Sequence, residues 1–511
     1  MKLFVLLLLF SSLSVHLFGQ QLRYTETIFE KADTLKNVEY ATADWLNNPI
    51  PILAEYNIHD GEYLTETRPL FMDIFTPHGD TLTKRPAIIF LHSGAFILGS
   101  RKNDDMVALC DSFARRGYVT ATIDYRLGMG AEVNKFLGVI IYLAVTEKNA
   151  IRASYRALQD SRAAIRFLRH NCNIYGIDST KIFMVGSSAG AITALTNVFV
   201  DTKEDLPSEV FTDPDLGDID FVGVQKHNPK ADAVVALWGS IQNTTIIDDE
   251  KTPLLLVHGK ADDIVPFEKG VPLDSIVEPN PLYSFTMPES WGSYCIDTAL
   301  VNRNVFHETY FVENEKHEFY GVVTGDFPEE GPNQYWDSIQ WKMSDFFFER
   351  FKPEADFETE TYGLSVNLNN ISNENNYSLW EFENGETATG NLISHTFSEE
   401  GTYKIKLTTC NKNLACDTIT KSVSIGRSVF VSSTVLPEIN IYPNPVQNTI
   451  HIKGISQLYN ATIYDLVGRK REVINKLEDN NIDVSSLENG LYILEIELNG
   501  YKIHRKFLKQ N

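Results

Sequence analysis

Residues 182–190 read Ile182-Phe183-Met184-Val185-Gly186-Ser187-Ser188-Ala189-Gly190, and this stretch decides the fold. Its four apolar residues predict a short buried strand, a Gly-x-Ser-x-Gly motif follows at once, and 191–195 begin a helical pattern. A sharp turn between a strand and a helix is the setting in which this motif exposes a serine as a nucleophile. The two glycines leave room for that strained turn. Ser188, at the centre of the motif, is therefore the candidate nucleophile, and the alternative is a glycine-rich loop without chemistry.

A serine hydroxyl needs a base within hydrogen-bond reach, and the base needs a third group that holds its tautomer. Where a Gly-x-Ser-x-Gly turn joins a strand to a helix, the triad residues follow one another along the chain as serine, acid and histidine. The base should therefore follow the last strands. His317 lies just after the strand-like run 309–312 and is the favoured base. His307 is the weaker alternative because it falls inside the strand pattern, and a surface or capping role is the alternative for His317.

The acid should lie in the loop after the predicted strand 254–257. Two adjacent aspartates, Asp262 and Asp263, stand there. An aspartate after a strand is also a common turn residue. The local sequence leaves both open.

The oxyanion that forms during acyl transfer needs backbone N–H donors. One donor is expected from Ala189, which follows the nucleophile. The others are expected from Gly94 and Ala95, because His92-Ser93-Gly94-Ala95-Phe96 follows the predicted strand 87–91 and resembles the His-Gly-Gly-Gly signature of lipases and esterases. An ordinary strand-to-loop turn is the alternative.

Apolar runs separated by helical patterns extend over residues 21–350. Continuous apolar runs of this length suit strands that helices cover on both faces. Alternation of strands and helices predicts a mostly parallel, doubly wound sheet, so the fold class is α/β. The predicted strands are 87–91, 119–123, 182–185, 233–237 and 254–257, and residues 158–168 form one predicted helix.

Residues 60–345 resemble an α/β-hydrolase of the carboxylesterase group, close to enzymes like hormone-sensitive lipase and feruloyl esterases. The residues that carry the likeness, besides the motifs above, are 117–119, 124–127, 175–178, 265–267 and 291–293. The resemblance implies hydrolysis of carboxylic esters with no cofactor and no metal, and it places the acid at Asp262. It implies acylation of Ser188 with His317 as base and then as acid. Short-chain or polysaccharide-linked acyl groups are the expected substrates.

Two insertions and two side chains are expected near the pocket. Residues 128–151 are expected to form either a lid over the site or a plain helix buried against the sheet. Residues 201–230 are acidic and predict a loop. Trp238 and His92 are candidate pocket residues, with burial in the core as the alternative for Trp238.

The pattern of apolar and polar residues changes after residue 350. Residues 354–426 show period-2 runs rich in Asn, Ser and Thr, which predict a small β-sandwich. Their motifs 380–382, 395–397 and 401–403 resemble the PKD family, here expected as a spacer or a polymer-binding module. A linker is expected over 427–437. Residues 438–511 carry five ordered landmarks that resemble the C-terminal sorting domain of the type IX secretion system: 441–445, 465–468, 482–487, 490–492 and 506–509.

The N-terminus predicts export. Residues 1–20 combine Lys2, an apolar run and small residues, as in a secretory signal peptide. Together with the resemblance to a sorting domain, this predicts a secreted or cell-surface protein of a Bacteroidota-type bacterium that engages the secretion machinery, with no transmembrane segment in the mature chain.

An exported chain permits disulfides, and a bond between Cys410 and Cys416 could close a hairpin. Cys110, Cys172 and Cys295 are left over, and no Cys/His spacing indicates a zinc site.

The chain is acidic, with a formal net charge of −23 over 511 residues. This argues against a nucleic-acid partner and against charge-driven binding to an anionic membrane. The expected partners are a small-molecule or polymeric ester and, on the outside, a polysaccharide or cell surface. The rival functions are a serine peptidase or lipase on the same fold, and a non-catalytic adhesion or scaffold protein.

Overall fold

The structure is a computed structural model that describes residues 23–136, 139–247, 252–275, 281–426, 439–453, 460–465, 468–475, 480–498 and 501–510. The predicted signal peptide and the predicted linker lie outside the described residues. The chain divides into two compact units, one ending at Gly426 and one beginning at Arg427. The first unit contains both the α/β region and the first β module.

The α/β region contains the six helices and fifteen of the strands found in the described residues. The helices are α1 (Asp104–Ala114), α2 (Glu147–His170), α3 (Cys172–Tyr175), α4 (Ala189–Phe199), α5 (Ser293–Asn302) and α6 (Tyr335–Glu349). The strands are β1 (Ala32–Leu46), β2 (Ile58–Asp60), β3 (Thr65–Pro77), β4 (Arg85–Leu91), β5 (Val119–Ile123), β6 (Met129–Phe136), β7 (Val139–Val145), β8 (Ile177–Ser187), β9 (Val234–Leu237), β10 (Ser240–Ile241), β11 (Leu254–Gly259), β12 (Lys269–Gly270), β13 (Tyr283–Phe285), β14 (Ser290–Gly292) and β15 (His307–Val312).

The main sheet has eight strands in the order β1-β3-β5-β4-β8-β9-β11-β15. The pairs from β5 to β15 are parallel, and β1 and β3 add an antiparallel edge. All five predicted strands lie in this sheet, and helices pack apolar clusters against both of its faces. The α/β-hydrolase fold predicted from the sequence is confirmed. The carboxyl ends of the central parallel strands lie at one edge, where such folds bind ligands.

Helix α2 is buried on almost every side although it is rich in arginine. The reason is that its arginines hold the 201–230 insertion against the helix. Arg152 donates to the carbonyl oxygens of Thr212 and Pro214, and Arg162 and Arg166 pair with Asp220. The predicted loop is indeed mostly irregular chain, pinned by these bonds.

The 128–151 insertion is not a plain helix buried against the sheet, and its role as a lid stays a prediction. It folds into the β6–β7 hairpin and then enters α2 at Glu147. The hairpin lies in a second sheet of order β13-β7-β6-β2. The expectation of a buried helix is wrong because the segment pairs with itself as a hairpin and with β2 and β13 at its two edges. Leu143 and Val145 line the cavity described below.

Residues 353–426 form the first β module. Its strands are β16 (Phe357–Tyr362), β17 (Ser365–Asn370), β18 (Tyr377–Phe382), β19 (Thr387–Thr389), β20 (Leu392–Thr396), β21 (Gly401–Cys410) and β22 (Cys416–Ile425). They form the sheets β16-β17-β20 and β19-β18-β21-β22, which pack over one apolar core. Cys410 and Cys416 form the predicted disulfide at the end of the β21–β22 hairpin. Cys110, Cys172 and Cys295 are free.

The second unit is a smaller β-sandwich with its own core. Its strands are β23 (Asn440–Tyr442), β24 (Thr449–Lys453), β25 (Asn460–Asp465), β26 (Lys470–Asn475), β27 (Asn481–Asp483), β28 (Gly490–Leu498) and β29 (Tyr501–Lys509). They form sheets of the orders β23-β24-β27 and β26-β25-β28-β29.

Across the chain as described, no helix has the length and apolar character needed to cross a bilayer.

Candidate active site

Ser188 stands at the junction between β8 and α4 in a strained backbone conformation, with φ of 52° and ψ of −114°. The turn is possible because glycines flank it on both sides. A Cβ at Gly186 would lie 2.1 Å from the carbonyl oxygen of Gly190, and one at Gly190 would lie 2.2 Å from that of Leu91. The Ser188 N–H donates to the carbonyl oxygen of Leu237 at 3.0 Å, which ties the turn to the neighbouring strand. The hydroxyl is thereby held at the carboxyl edge of the sheet.

Three side chains from distant parts of the chain meet at this turn. His317 Nε2 lies 2.9 Å from Ser188 Oγ, and His317 Nδ1 lies 2.7 Å from Asp262 Oδ2. Since a carboxylate only accepts hydrogen bonds, the imidazole proton belongs on Nδ1 and leaves Nε2 free to accept from the serine hydroxyl. This is the arrangement by which a histidine removes the proton of an attacking serine.

Asp262 is a fully buried carboxylate with every oxygen engaged. Its Oδ1 accepts the backbone N–H groups of Ile264 and Val265, at 2.8 Å and 2.9 Å. Its Oδ2 faces His317 and also His258 Nε2, the latter at 3.1 Å. Burial alone would raise the pKa of Asp262, but the hydrogen bonds from His258 and His317 hold it well below the usual range. The carboxylate therefore stays ionised beside His317.

His258 is a member of this constellation that the sequence analysis missed. It is completely buried at the end of β11, with Nδ1 at 2.8 Å from Ser293 Oγ and Nε2 at 3.0 Å from the carbonyl oxygen of Val265. Both neighbours of Nε2, this carbonyl and the Asp262 carboxylate, are acceptors, so the proton belongs on Nε2. His258 lies four residues before the acid in the sequence. A histidine at the end of a predicted strand forms no distinctive sequence motif, however, so the sequence did not single it out.

The two alternative residues have other partners. His307 Nε2 contacts Asp297 Oδ1 at 2.8 Å, at the start of β15 and not at the turn. Asp263 receives Lys316 Nζ at 2.6 Å in an exposed pair. The geometry places Asp262, and not Asp263, against the imidazole of His317.

The loop after β4 adopts a backbone suited to its predicted role as an oxyanion loop. Gly94, Ala95 and Phe96 all have positive φ, at 116°, 53° and 63°. Glycine is required at 94, since a Cβ there would lie 2.3 Å from the carbonyl oxygen of Leu98. A positive φ at two consecutive non-glycine residues stores strain of the kind that marks functional loops. Gly94, Ala95 and Ala189 all border the same cavity as Ser188.

His92 and Trp238 do not line that cavity, so the expectation for His92 is wrong, and for Trp238 the alternative of burial in the core holds. Each is fully buried behind its wall. Trp238 Nε1 donates to Ser187 Oγ at 3.0 Å and its ring lies edge-on to His317, with the centroids 6.1 Å apart. His92 stacks on Tyr125, and burial lowers the pKa of His92 to about 4. The two rings therefore support the turn and the oxyanion loop from behind.

A second buried network lies beneath Trp238. The Tyr320 ring packs against Trp238 with the centroids 4.7 Å apart, and its hydroxyl donates to Asp105 Oδ2 at 2.6 Å. Burial raises the pKa of Asp105 to about 8, and the nearby Glu318 adds to the rise. An aspartate kept protonated in this way can lie under the site without adding a negative charge to it.

Ser188 opens into a cavity of about 810 Å³, within the range of small-molecule sites. Its wall is mainly apolar, and charge is confined to a few residues near the triad, such as Lys316 and Asp263. The apolar side chains of the wall include Phe96, Leu143, Val145, Ile192, Phe285 and Met287. The site can therefore hold an apolar group beside a nucleophile, a base and backbone donors.

Comparison with known proteins finds three families along the chain. Residues 65–210 match the carboxylesterase family, residues 353–425 the PKD domain, and residues 440–510 the secretion system C-terminal sorting domain. Gut esterase 1 of Caenorhabditis briggsae is 27% identical over 32% of this chain and 27% of its own length. The neuroligin-like protein glit-1 of Caenorhabditis elegans is 26% identical over 31% and 18%. The para-nitrobenzyl esterase of Bacillus subtilis (strain 168) is 26% identical over 24% and 23%.

The matched part of the chain thus spans less than a third of the length of these curated relatives. Among solved structures, the thermophilic esterase Est2 of Thermogutta terrifontis covers 55% of this chain and 87% of its own, at 18% identity and a TM-score of 0.36. The matching regions follow one another without overlap. The chain carries, in order, a carboxylesterase-family region, a PKD domain and a secretion-system C-terminal sorting domain.

Proposed function

We propose that this protein is an exported serine carboxylesterase. The observation that carries the proposal is the continuous hydrogen-bonded line from Ser188 Oγ through His317 to Asp262, with separations of 2.9 Å and 2.7 Å. The match of residues 65–210 to the carboxylesterase family supports the same chemistry. The match of residues 440–510 to a sorting domain supports export to the cell surface or the medium.

In the first half of the reaction, Ser188 Oγ attacks the carbonyl carbon of the ester and its proton passes to His317 Nε2. The N–H groups of Gly94, Ala95 and Ala189 stabilise the negative charge that develops on the carbonyl oxygen by donating hydrogen bonds to it. When the carbon–oxygen bond to the alcohol breaks, the alkoxide takes the proton from His317. The acyl group is then bonded to Ser188.

In the second half, water attacks the acyl carbon and loses a proton to His317. The bond to Ser188 Oγ breaks, the serine recovers its proton, and the acid is released. Asp262 remains ionised throughout and stabilises the imidazolium that forms twice in each cycle. All groups that move a proton in this scheme belong to the chain.

The experiment compares the purified wild-type chain with Ser188→Ala on aryl esters and on peptide anilides. We expect ester hydrolysis to fall by at least about a thousandfold in the variant, because loss of the nucleophile leaves only binding and the oxyanion donors. Ser187→Ala is the matched control, since its hydroxyl accepts from Trp238 Nε1, whereas His317 Nε2 faces Ser188 Oγ. Ester hydrolysis that survives Ser188→Ala, or activity on anilides alone, would contradict the proposal.

A further inference from the structure

A second chamber adjoins the cavity that contains Ser188. It measures about 330 Å³ and shares four bordering residues with the larger cavity: Phe96, Ile192, Pro272 and Met287. Ile192 lies one turn along α4 from the nucleophile, and its N–H donates to the Ser188 carbonyl oxygen at 2.9 Å. Ile192 therefore borders both chambers one helical turn from the nucleophile, and we call the four shared residues the partition.

The lining of the second chamber is mixed, because the buried residues Ser240 and Ser290 border it together with a set of apolar side chains, and no described residue hydrogen-bonds to their hydroxyls. Its apolar wall is formed by Ile151, Tyr155, Val200, Leu206, Ile241 and Ile246. The polar tip of Tyr155 is directed elsewhere, since its hydroxyl donates to the carbonyl oxygen of Gly217 at 2.8 Å. Exposed polar residues, Asp205, Asn243 and Thr245, border the chamber as well, so it also reaches solvent.

Resting on the function proposed above, we infer that the second chamber receives the far part of an extended apolar arm of the ester. Three features lead there: the position of Ile192 in the partition one helical turn from Ser188, the apolar side chains that border each chamber, and the solvent-facing border of the second chamber. An acetyl ester leaves both chambers unfilled, whereas a medium-length alkyl arm buries its methylenes against their apolar side chains. The structure thus points to esters with a longer apolar arm than the short-chain groups expected from the sequence.

The arm can belong to the acid or to the alcohol, and two substrate series separate these cases. One series holds the alcohol as p-nitrophenol and lengthens the acyl group from acetate to dodecanoate. The other holds the acid as propanoate and lengthens the alkyl alcohol over the same range. We expect kcat/KM to rise by about tenfold or more toward octyl length in one of the series.

Two variants test the chamber itself. Ile151→Phe fills the second chamber without touching the first, so kcat/KM for the octyl-length substrate should fall about tenfold while that for the shortest ester stays within about twofold. Ile192→Ala opens the partition and should shift the preferred length upward. Ile174→Ala, an exposed isoleucine on α3, is the matched control and should leave the profile unchanged.

The outcomes separate this inference from the proposed function. Ser188-dependent hydrolysis with the same length profile in wild type, Ile151→Phe and Ile192→Ala would overturn the chamber assignment and leave the esterase standing. A wild-type preference for the shortest member of both series would overturn it too. Absence of Ser188-dependent hydrolysis from every ester would instead overturn the function. Thermal melting of each variant identifies any that fails to fold, and Met287→Ala then replaces Ile192→Ala as the opening variant.

Discussion

At the scale of single residues, the acid of the site is held by more than its catalytic partner. Asp262 accepts two backbone N–H groups on one oxygen and two imidazoles on the other. His258 is itself fixed by Ser293, the first residue of α5. A positioning histidine of this kind keeps the carboxylate ionised and aimed at His317 without touching substrate.

We therefore expect His258→Ala to lower kcat/KM by about tenfold at pH 8, since a lost buried hydrogen bond costs about 1–3 kcal/mol. The loss should grow as the pH falls. The bond from His258 favours the charged form of Asp262, so its removal raises the pKa of that carboxyl, and protonation then begins at a higher pH than in the wild type. Measuring kcat/KM from pH 5 to pH 9 for both proteins checks this.

The matched control for that experiment is His307→Ala, which removes a histidine paired with an aspartate away from the site. Its pH profile should match that of the wild type. Parallel profiles for wild type and His258→Ala, however much the level differs, would show that His258 supports folding only.

At the scale of elements, the strand, turn and helix around Ser188 are packed so closely that the backbone itself forms part of the contacts. The carbonyl oxygen of Gly190 lies against the position of a Gly186 Cβ, and the end of β4 lies against Gly190. The Gly-x-Ser-x-Gly spacing is thus a packing requirement between three elements. The same crowding maintains the unusual φ of Ser188.

Gly186→Ala should consequently destabilise the fold by about 1–3 kcal/mol and displace the serine from His317. At temperatures where the variant is fully folded, its activity should still be lower than that of the wild type, because the serine is displaced. Chemical denaturation and kcat on an aryl ester measure the two effects. Gly401→Ala is the control, because its Cβ would meet Tyr403 at an ordinary 3.4 Å; an equally mild effect at both glycines would refute the argument.

At the scale of the whole molecule, the PKD domain packs directly on the carboxylesterase-family region. The tip of the β21–β22 hairpin, residues 411–415, is inserted against it. Asn413 donates to Asp178 and to the Lys84 carbonyl oxygen, both at 3.0 Å, and its own carbonyl accepts the Tyr24 hydroxyl at 2.6 Å. Ala415 lies in the apolar cluster on one face of the main sheet. The Cys410–Cys416 disulfide closes the base of this tip.

Asn413→Ala is expected to lower the free energy of unfolding by about 1–3 kcal/mol, since it leaves buried groups without their partner. The tip contacts Tyr24 near one end of the α/β region, and Asn411 donates to the Phe351 carbonyl oxygen at the other end, at 2.6 Å. The variant should therefore lower the melting temperature of that region and not only of the PKD domain. Differential scanning calorimetry of the full chain measures the unfolding transitions, and the loss of activity on heating reports the unfolding of the α/β region. Asn384→Ala, in an exposed turn of the same domain, should leave the transition in place, and equal shifts for the two variants would contradict the docking role.

How much the sequence could predict depends on the range of the interactions. The turn at Ser188, the five core strands and the closing of Cys410 on Cys416 follow from neighbours within a few residues, where glycine sterics, apolar periodicity and ring closure act. Family resemblance placed His317 and Asp262 in the same region. None of these required knowledge of distant contacts.

Tertiary structure alone decided the features that join segments far apart in the chain. The 128–145 insertion became a hairpin because β2 and β13 offer edges for it to pair with, which its own apolar run cannot reveal. His258 acquired its place through the packing of β11 on α5. Burial of Trp238 was an alternative already open from the sequence, but its contacts with Ser187 and Tyr320 depend on the fold. The two-chambered cavity, likewise, exists only where α4, the oxyanion loop and the 201–230 insertion meet, because an enclosed volume belongs to the assembled surfaces and to no single stretch of sequence.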